Sequence, residues 1–163
     1  MAWQKLDTTT LGSAGDTITL NGSGSGFTAK KFLKILSHTL ASGNINWKLK
    51  FNNDSGNNYS NRLNDNGTES TAVSRTELAS FSSSSVAYDR FHVCDVIDIS
   101  AQEKLVITHM VESNTAGAGN APLREEHIGK WTNTSAQITR GDAFNDGTGD
   151  FATSSNVSIL GTD

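Results

Sequence analysis

The sequence predicts an all-β fold, and three observations lead to that class. Apolar residues recur at every second position in several segments, which is the pattern of half-buried strands. Gly, Ser, Thr and Asn make up 68 of the 163 residues and cluster between those segments, where they favour turns. Eight or nine short strands separated in this way predict an antiparallel β-sandwich or barrel. We expect one domain spanning residues 1–163, with 1–15 as a possible extended N-terminal arm.

In the N-terminal half, three segments are candidate strands. Residues 16–20 alternate apolar and hydroxyl side chains, and 47–51 places Trp47, Leu49 and Phe51 on one face with lysines on the other. Residues 28–40 fit a helical template as well as a strand. Because every neighbouring element is predicted as β, we favour a strand there and keep the helix as the alternative.

The C-terminal two thirds contains further candidate strands at 70–79, 90–100, 104–112, 125–132, 136–144 and 156–160. Two of them have a marked apolar face, which a half-buried strand turns towards the core. These faces carry Phe91, Val93, Ile97 and Ile99 in one strand and Leu105, Ile107 and Val111 in the other. The four-serine run at 82–85 predicts a loop.

Residues that could catalyse a reaction do not form a recognisable motif. The chain has no Gly-x-Ser-x-Gly elbow and no His-Glu-x-x-His signature, and its four histidines fall on four separate predicted strands. Cys94 lies between apolar and acidic neighbours in a strand, which indicates a small buried side chain. We therefore expect no enzyme, no catalytic residue and no cofactor.

Calcium is the metal that the sequence could accommodate. Asp142, Asn145 and Asp146, followed by Gly147, partly match the start of a calcium-binding loop. The oxygen ligands required at the third and twelfth positions are absent, because Phe144 and Thr153 stand there. These three residues are candidate ligands, and a tight Asx-rich turn is the alternative interpretation.

A glycan or partner site would need an exposed aromatic ring beside amide or carboxylate groups. Tyr59 with Asn57 and Asn58, or Trp131, could supply it. The alternative is that these large rings fill the core or a subunit interface.

Charge and hydropathy exclude two classes of binding partner. The net charge of −4 argues against nucleic acid, because nucleic-acid binders usually present a basic surface. No stretch approaches 18 consecutive apolar residues, so we expect no membrane partner. Leu, Ile, Val and Phe together barely exceed the share at which disorder sets in, so an isolated subunit should be marginally stable.

Two stretches of the chain resemble a family of bacteriophage and prophage virion proteins. The turn Phe51-Asn-Asn-Asp-Ser-Gly-Asn-Asn-Tyr59 is similar to that family's F-N-G-D-T-G-x-N-Y turn. The C-terminal run from Trp131 to Thr139, followed by residues 149–161, is similar to its W…T-x-x-I-T and closing G-N-F-A-A-G-S…L-Y-G strands. The chain departs from this pattern at Ser154-Ser155 and at Leu160-Gly161.

The resemblance implies a jelly-roll-like β-sandwich that serves as a non-enzymatic structural protein of the virion, made in the host cytoplasm. The implied role is a capsid decoration (cement) subunit, and the alternative is a tail-associated receptor- or carbohydrate-binding module. The implied partners are further copies of the chain, as a homotrimer, together with phage capsid or tail proteins; a host glycan is a further possible partner. Asn52, Asp54, Gly56 and Phe151 are implied to be structural turn and packing residues, with Tyr59 packed back on the sandwich.

Overall fold

Twelve antiparallel strands form two sheets in the computed structural model, which describes residues 2–79 and 88–163. The strands are β1 (Gln4–Thr10), β2 (Thr17–Leu20), β3 (Phe32–Thr39), β4 (Trp47–Phe51), β5 (Tyr59–Asp65), β6 (Thr68–Arg75), β7 (Leu78–Ala79), β8 (Arg90–Ile97), β9 (Lys104–Glu112), β10 (Leu123–Trp131), β11 (Gly141–Asn145) and β12 (Asn156–Thr162). A short 3-10 turn, Gly22–Gly24, follows β2. The serine run at 82–85 lies outside the described residues. No helix that could cross a membrane is found in the described part of the chain.

The order of the strands is that of a jelly roll. The large sheet has the order β1-β12-β3-β8-β9-β10-β5-β6, and the small sheet has the order β2-β11-β4-β7. Pairing is nested: β1 pairs with β12, β2 with β11, β3 with β8 and β4 with β7. The links β1–β2, β3–β4, β7–β8 and β11–β12 all pass from one sheet to the other. Eight strands wrapped in this way make two packed four-stranded sheets.

Two hairpins are inserted into this eight-stranded frame. β5–β6 follows β4, and β9–β10 follows β8. They pair with each other through β10 and β5, so that β9, β10, β5 and β6 extend the large sheet beyond β8. The large sheet therefore has twice as many strands as the small one.

The core lies between the two sheets. Inward side chains of β3, β8 and β12 meet those of β2 and β4, and four loop residues complete the layer: Phe27, Ile45, Ile138 and Phe151. The inward residues of β4, Trp47, Leu49 and Phe51, are all buried, in agreement with the period-two pattern. The predicted all-β sandwich is confirmed, and residues 28–40 contain a strand rather than a helix.

Four details differ from the sequence-based expectations. Residues 4–10, expected within an N-terminal arm, form the edge strand β1. Residues 59–65, which are not among the candidate strands, form β5 because they pair along β10. The predicted strand 136–144 begins only at Gly141. Lys48, expected on a solvated face, is buried against Glu77 and Asp146, to which its ammonium lies at 3.3 and 2.8 Å.

The largest difference concerns the faces of β8 and β9. In β9 the buried side chains are those of Lys104, Val106, Thr108, Met110 and Glu112, and the apolar set expected to face the core is exposed. In β8, Arg90, His92, Cys94 and Val96 point inward. The inversion is possible because the inward polar groups find partners: Arg90 Nε donates to Glu112 Oε2 at 2.5 Å.

Candidate functional site

The turn from Asn52 to Tyr59 is organised by the Asp54 carboxylate. The indole Nε1 of Trp131 donates to Asp54 Oδ2 at 2.7 Å, and the amide of Gly56 donates to Oδ1 at 2.8 Å. Asn58 Nδ2 donates to the same carboxylate. Burial raises the pKa of Asp54, but these hydrogen bonds outweigh that effect and leave the pKa below its usual value.

Asn52 connects this turn to the loop between β10 and β11. Its Oδ1 accepts hydrogen bonds from the amides of Thr139 and Arg140, and its Nδ2 donates to the carbonyl of Gln137 at 2.8 Å. Asn52 has φ of 50°, a left-handed conformation that asparagine tolerates better than most residues. Phe151, at a separate position before β12, is completely buried in the core.

The rings proposed as glycan contacts are buried. Tyr59 and Trp131 are 1% and 0% exposed and stack with centroids 6.2 Å apart. The Tyr59 hydroxyl accepts from the amide of Phe51 at 3.0 Å, and burial raises its pKa. Asn57 and Asn58 are exposed beside them, but without an accessible ring they offer no stacking platform for a sugar.

The candidate calcium ligands are held in protein contacts. Asp142 is buried and accepts hydrogen bonds from Arg140 Nη2 and Thr19 Oγ1 at 2.8 and 2.7 Å. Asn145 Oδ1 accepts from two backbone amides, and Asp146 pairs with Lys48. In residues 2–79 and 88–163, no three His, Cys, Asp or Glu side chains are grouped so that they could hold a metal ion. Of the three candidate ligands, Asp142 and Asn145 lie in β11 and Asp146 directly follows that strand.

The inward polar groups of the large sheet are structural as well. The His92 ring stacks on Trp47 at a centroid distance of 4.3 Å. Burial, with Arg90 and His127 nearby, lowers the His92 pKa well below its ordinary value, so the ring is neutral. Burial raises the pKa of the Cys94 thiol to about 12, which removes it as a nucleophile.

At one end of the sandwich, a buried lysine joins two loops, the one between β8 and β9 and the one between β10 and β11. Lys104 Nζ donates to the carbonyls of Ile99, Gln102 and Asn133 at 3.1, 2.7 and 3.1 Å. Asp98 lies 3.9 Å away and accepts from the amide of Ile138. Burial raises the pKa of Asp98 to about 6, against the lowering effects of that hydrogen bond and of Lys104.

The feature that stands out is the outer face of the large sheet, the face turned away from the small sheet. Large apolar side chains that are exposed in the described residues all lie on it: Trp3, Val73, Phe91, Leu105, Ile107, Val111 and Ile128. Ile128 is 65% exposed and lies directly across the strand pair from Ile107. We call the surface formed by these seven side chains, together with adjacent ones such as Phe32 on β3 and Ser60 on β5, the outer apolar face.

Two grooves cross the outer apolar face. The larger, of about 530 Å³, runs between Trp3 and the aliphatic side chains of Ile97, Leu105 and Ile107. The smaller, of about 280 Å³, lies between Ile128 and Val73. Leu105 lines both, so the aliphatic side chains of β9 and β10 form a ridge between two grooves.

Sequence reasoning missed this surface, although a signal for it was present. The residues that line it are the apolar positions of β8 and β9 that the alternation pattern assigned to the core. The opposite face of β9 holds Val106 and Met110 in addition to three polar residues, so β9 has apolar side chains on both sides. A strand of this kind needs cover on both faces, which a two-layer sandwich provides on only one.

Comparison with known proteins adds no relative. No family model, no curated protein and no solved structure matches this chain.

Proposed function

We propose that this chain is a non-enzymatic structural subunit of a phage virion, acting as a capsid decoration protein that assembles as a homotrimer. The observation that carries the proposal is the nested strand pairing of a jelly roll, an architecture that viral capsid proteins use repeatedly. Because one fold serves many functions, the jelly roll is compatible with a virion role but does not by itself identify one. The choice of a virion role rests on the Phe51–Tyr59 turn and the C-terminal strands, which resemble those of virion proteins.

The way in which the polar side chains are used also supports a structural role. Asp54, Asn52 and Lys104 each make three or more hydrogen bonds that join separate segments of the backbone. Such bonds stabilise loops, and they use most of the hydrogen-bonding capacity that these side chains could offer a substrate. A subunit that must persist on a particle surface benefits from connections of this kind.

A tail-associated carbohydrate-binding role fits the geometry less well. Trp3 is 46% exposed and is the one tryptophan ring that could stack on a sugar. The groove beside it is lined almost wholly by apolar side chains, with Asp95 and Thr162 as its polar members. Asp95 is already paired with Lys34, so sugar hydroxyls would find few partners.

The experiment that tests the proposal is a count of this protein in purified virions. Quantitative gel analysis of particles should give a copy number in a fixed ratio to the major shell protein. Immunogold labelling with an antibody against the purified chain should mark the shell. A count of only a few copies with label confined to the tail would reject the decoration role, and specific hits on a glycan array would then favour the carbohydrate-binding role.

A further inference from the structure

We propose that the outer apolar face is the surface through which copies of this chain associate. The inference deepens the proposed function, on which it rests for the expectation that the protein self-assembles, and it names the surface. Its occupant is a second copy of the chain. Four properties of the face support that choice.

The first property is composition. The apolar positions of β8 and β9 are turned outward, while Arg90, His92 and Lys104 are turned inward. Leaving aliphatic side chains in water forgoes the free energy of burying them, and a subunit gains that free energy when its outer face is covered. The arrangement is understandable if the outer face is also buried, because the large sheet then lies between two apolar layers.

The second property is area. The part of the sheet formed by β3, β8, β9, β10 and β5 measures roughly 24 by 30 Å, or about 700 Å², from strand spacing and rise. Standard-size interfaces bury about 600–1,000 Å² on each partner, and the face lies within that range. The face is therefore large enough for a stable contact.

The third property is charge. Three ion pairs on and beside the face lie within one copy: Lys34 with Asp95, Lys130 with Glu103 at 2.8 Å, and Arg124 with Glu126 at 3.9 Å. Arg62, exposed across the strand pair from Ile128, has no such pair among the described residues. Charges that are already paired within one copy add little like-charge repulsion when two copies meet. Interfaces between identical subunits are also the more apolar class, as this face is.

The fourth property is shape. The ridge formed by Leu105, Ile107 and Ile128 lies beside the groove that Trp3 borders. In a three-fold ring, the ridge of each copy can enter the groove of the next copy, because a cyclic trimer is built from contacts between two different parts of the surface. Trp3 is then placed as an aromatic anchor, the residue type that most often dominates interface energy.

The test uses the full chain and begins with its mass in solution. Sedimentation velocity across a dilution series should give a multiple of the chain mass at high concentration. Ile128→Arg places a charge on the ridge and should reduce the mass to that of a single chain, with an unchanged far-UV circular dichroism spectrum. Thr17→Arg is the matched control, because it adds the same charge to the exposed edge strand of the small sheet and should remain associated.

A second measurement needs no variant. Trp3 is the exposed tryptophan, whereas Trp47 and Trp131 are buried, so acrylamide quenching reports mainly on Trp3. Quenching should rise several-fold on dilution as copies separate. A wild type that stays a single chain with fully accessible Trp3 at every concentration would overturn the inference and point to a different virion protein as the occupant. An Ile128→Arg variant that keeps the wild-type mass would also overturn it. Either result leaves the copy-number test of the proposed function unaffected.

Discussion

The indole N–H of Trp131 at the end of β10 donates a 2.7 Å hydrogen bond to the carboxylate of Asp54 in the turn after β4. This bond joins the two sheets at one end, because β10 belongs to the large sheet and β4 to the small one. Trp131 also contacts the ring of Phe51, with centroids 5.8 Å apart. The turn is therefore part of the packing of the sandwich.

We predict that Asp54→Ala destabilises the fold by about 1–3 kcal/mol, since it leaves the buried indole N–H without its acceptor. Asp54→Asn is the control, because its amide oxygen can still accept the bond, and it should cost less. The measurement is chemical denaturation followed by tryptophan fluorescence. Equal midpoints for Asp54→Ala and the wild type would contradict the prediction.

We predict that His92→Phe is tolerated and raises stability by about 1 kcal/mol, because buried polar atoms without partners are costly. Neither ring nitrogen of His92 has a hydrogen-bond partner within the described residues, and a phenyl ring can keep the stack on Trp47. The thermal midpoint of the variant at neutral pH is the readout. A lower midpoint than that of the wild type would show that the nitrogens have a role.

Titration of His92 gives a separate prediction with a defined sign. Its pKa in the fold is lowered, so below about pH 6.5 the unfolded chain binds a proton that the folded chain does not. The contribution of His92 to stability therefore falls as the pH drops below that value. His92→Gln should remove this dependence without the gain in stability expected of His92→Phe. A wild-type slope retained in both variants would assign the dependence to other groups.

Asp98 should act in the opposite direction. Its pKa is raised from 3.8 to about 6 in the fold, so between these values the folded chain binds more protons than the unfolded chain. Stability from this group falls as the pH rises from about 4 to 6, by up to about 3 kcal/mol, and then levels. Asp98→Asn should flatten this window while keeping an acceptor for the amide of Ile138. Urea denaturation at several pH values measures the slope, and an unchanged slope would argue against the raised pKa.

We predict that Lys104→Met destabilises the protein by about 3–5 kcal/mol, the usual cost of breaking a buried ionic arrangement. The substitution leaves three loop carbonyls without their donor and Asp98 without its nearby cation. Lys130→Met is the matched control. It removes a half-exposed pair with Glu103 and should cost less than about 1 kcal/mol. Similar effects in the two variants would show that burial of Lys104 contributes little.

The sequence predicts strands well where one face alone is apolar. β4 is the clearest case, because Trp47, Leu49 and Phe51 alternate with lysines and do face the core. β5 was not predictable in this way, since Asn61, Asn64 and Asp65 are common turn residues. It becomes a strand through its pairing with β10, which is distant in sequence.

The orientation of β8 and β9 could not be read from periodicity either. The alternation gives two faces, and hydrophobicity selects the wrong one for the core, because it ignores partners far along the chain. Arg90 is acceptable inside only because Glu112 and the carbonyl of Ile45 lie within hydrogen-bond distance of it. The burial of Tyr59 and Trp131 also depends on contacts between distant segments, in this case with the Asp54 turn. The sequence therefore identified the two rings but did not show whether they are exposed.

The nested pairing has a consequence for how the protein is made. β1 pairs with β12, which lies far along the chain, so the pair can close only after β12 has been synthesised. Contacts with so large a sequence separation form slowly. Trp3, which borders the larger groove of the outer apolar face, immediately precedes β1 and is positioned by that closure. A chain in which β12 has not yet been made would therefore lack the pairing that positions Trp3 beside this groove.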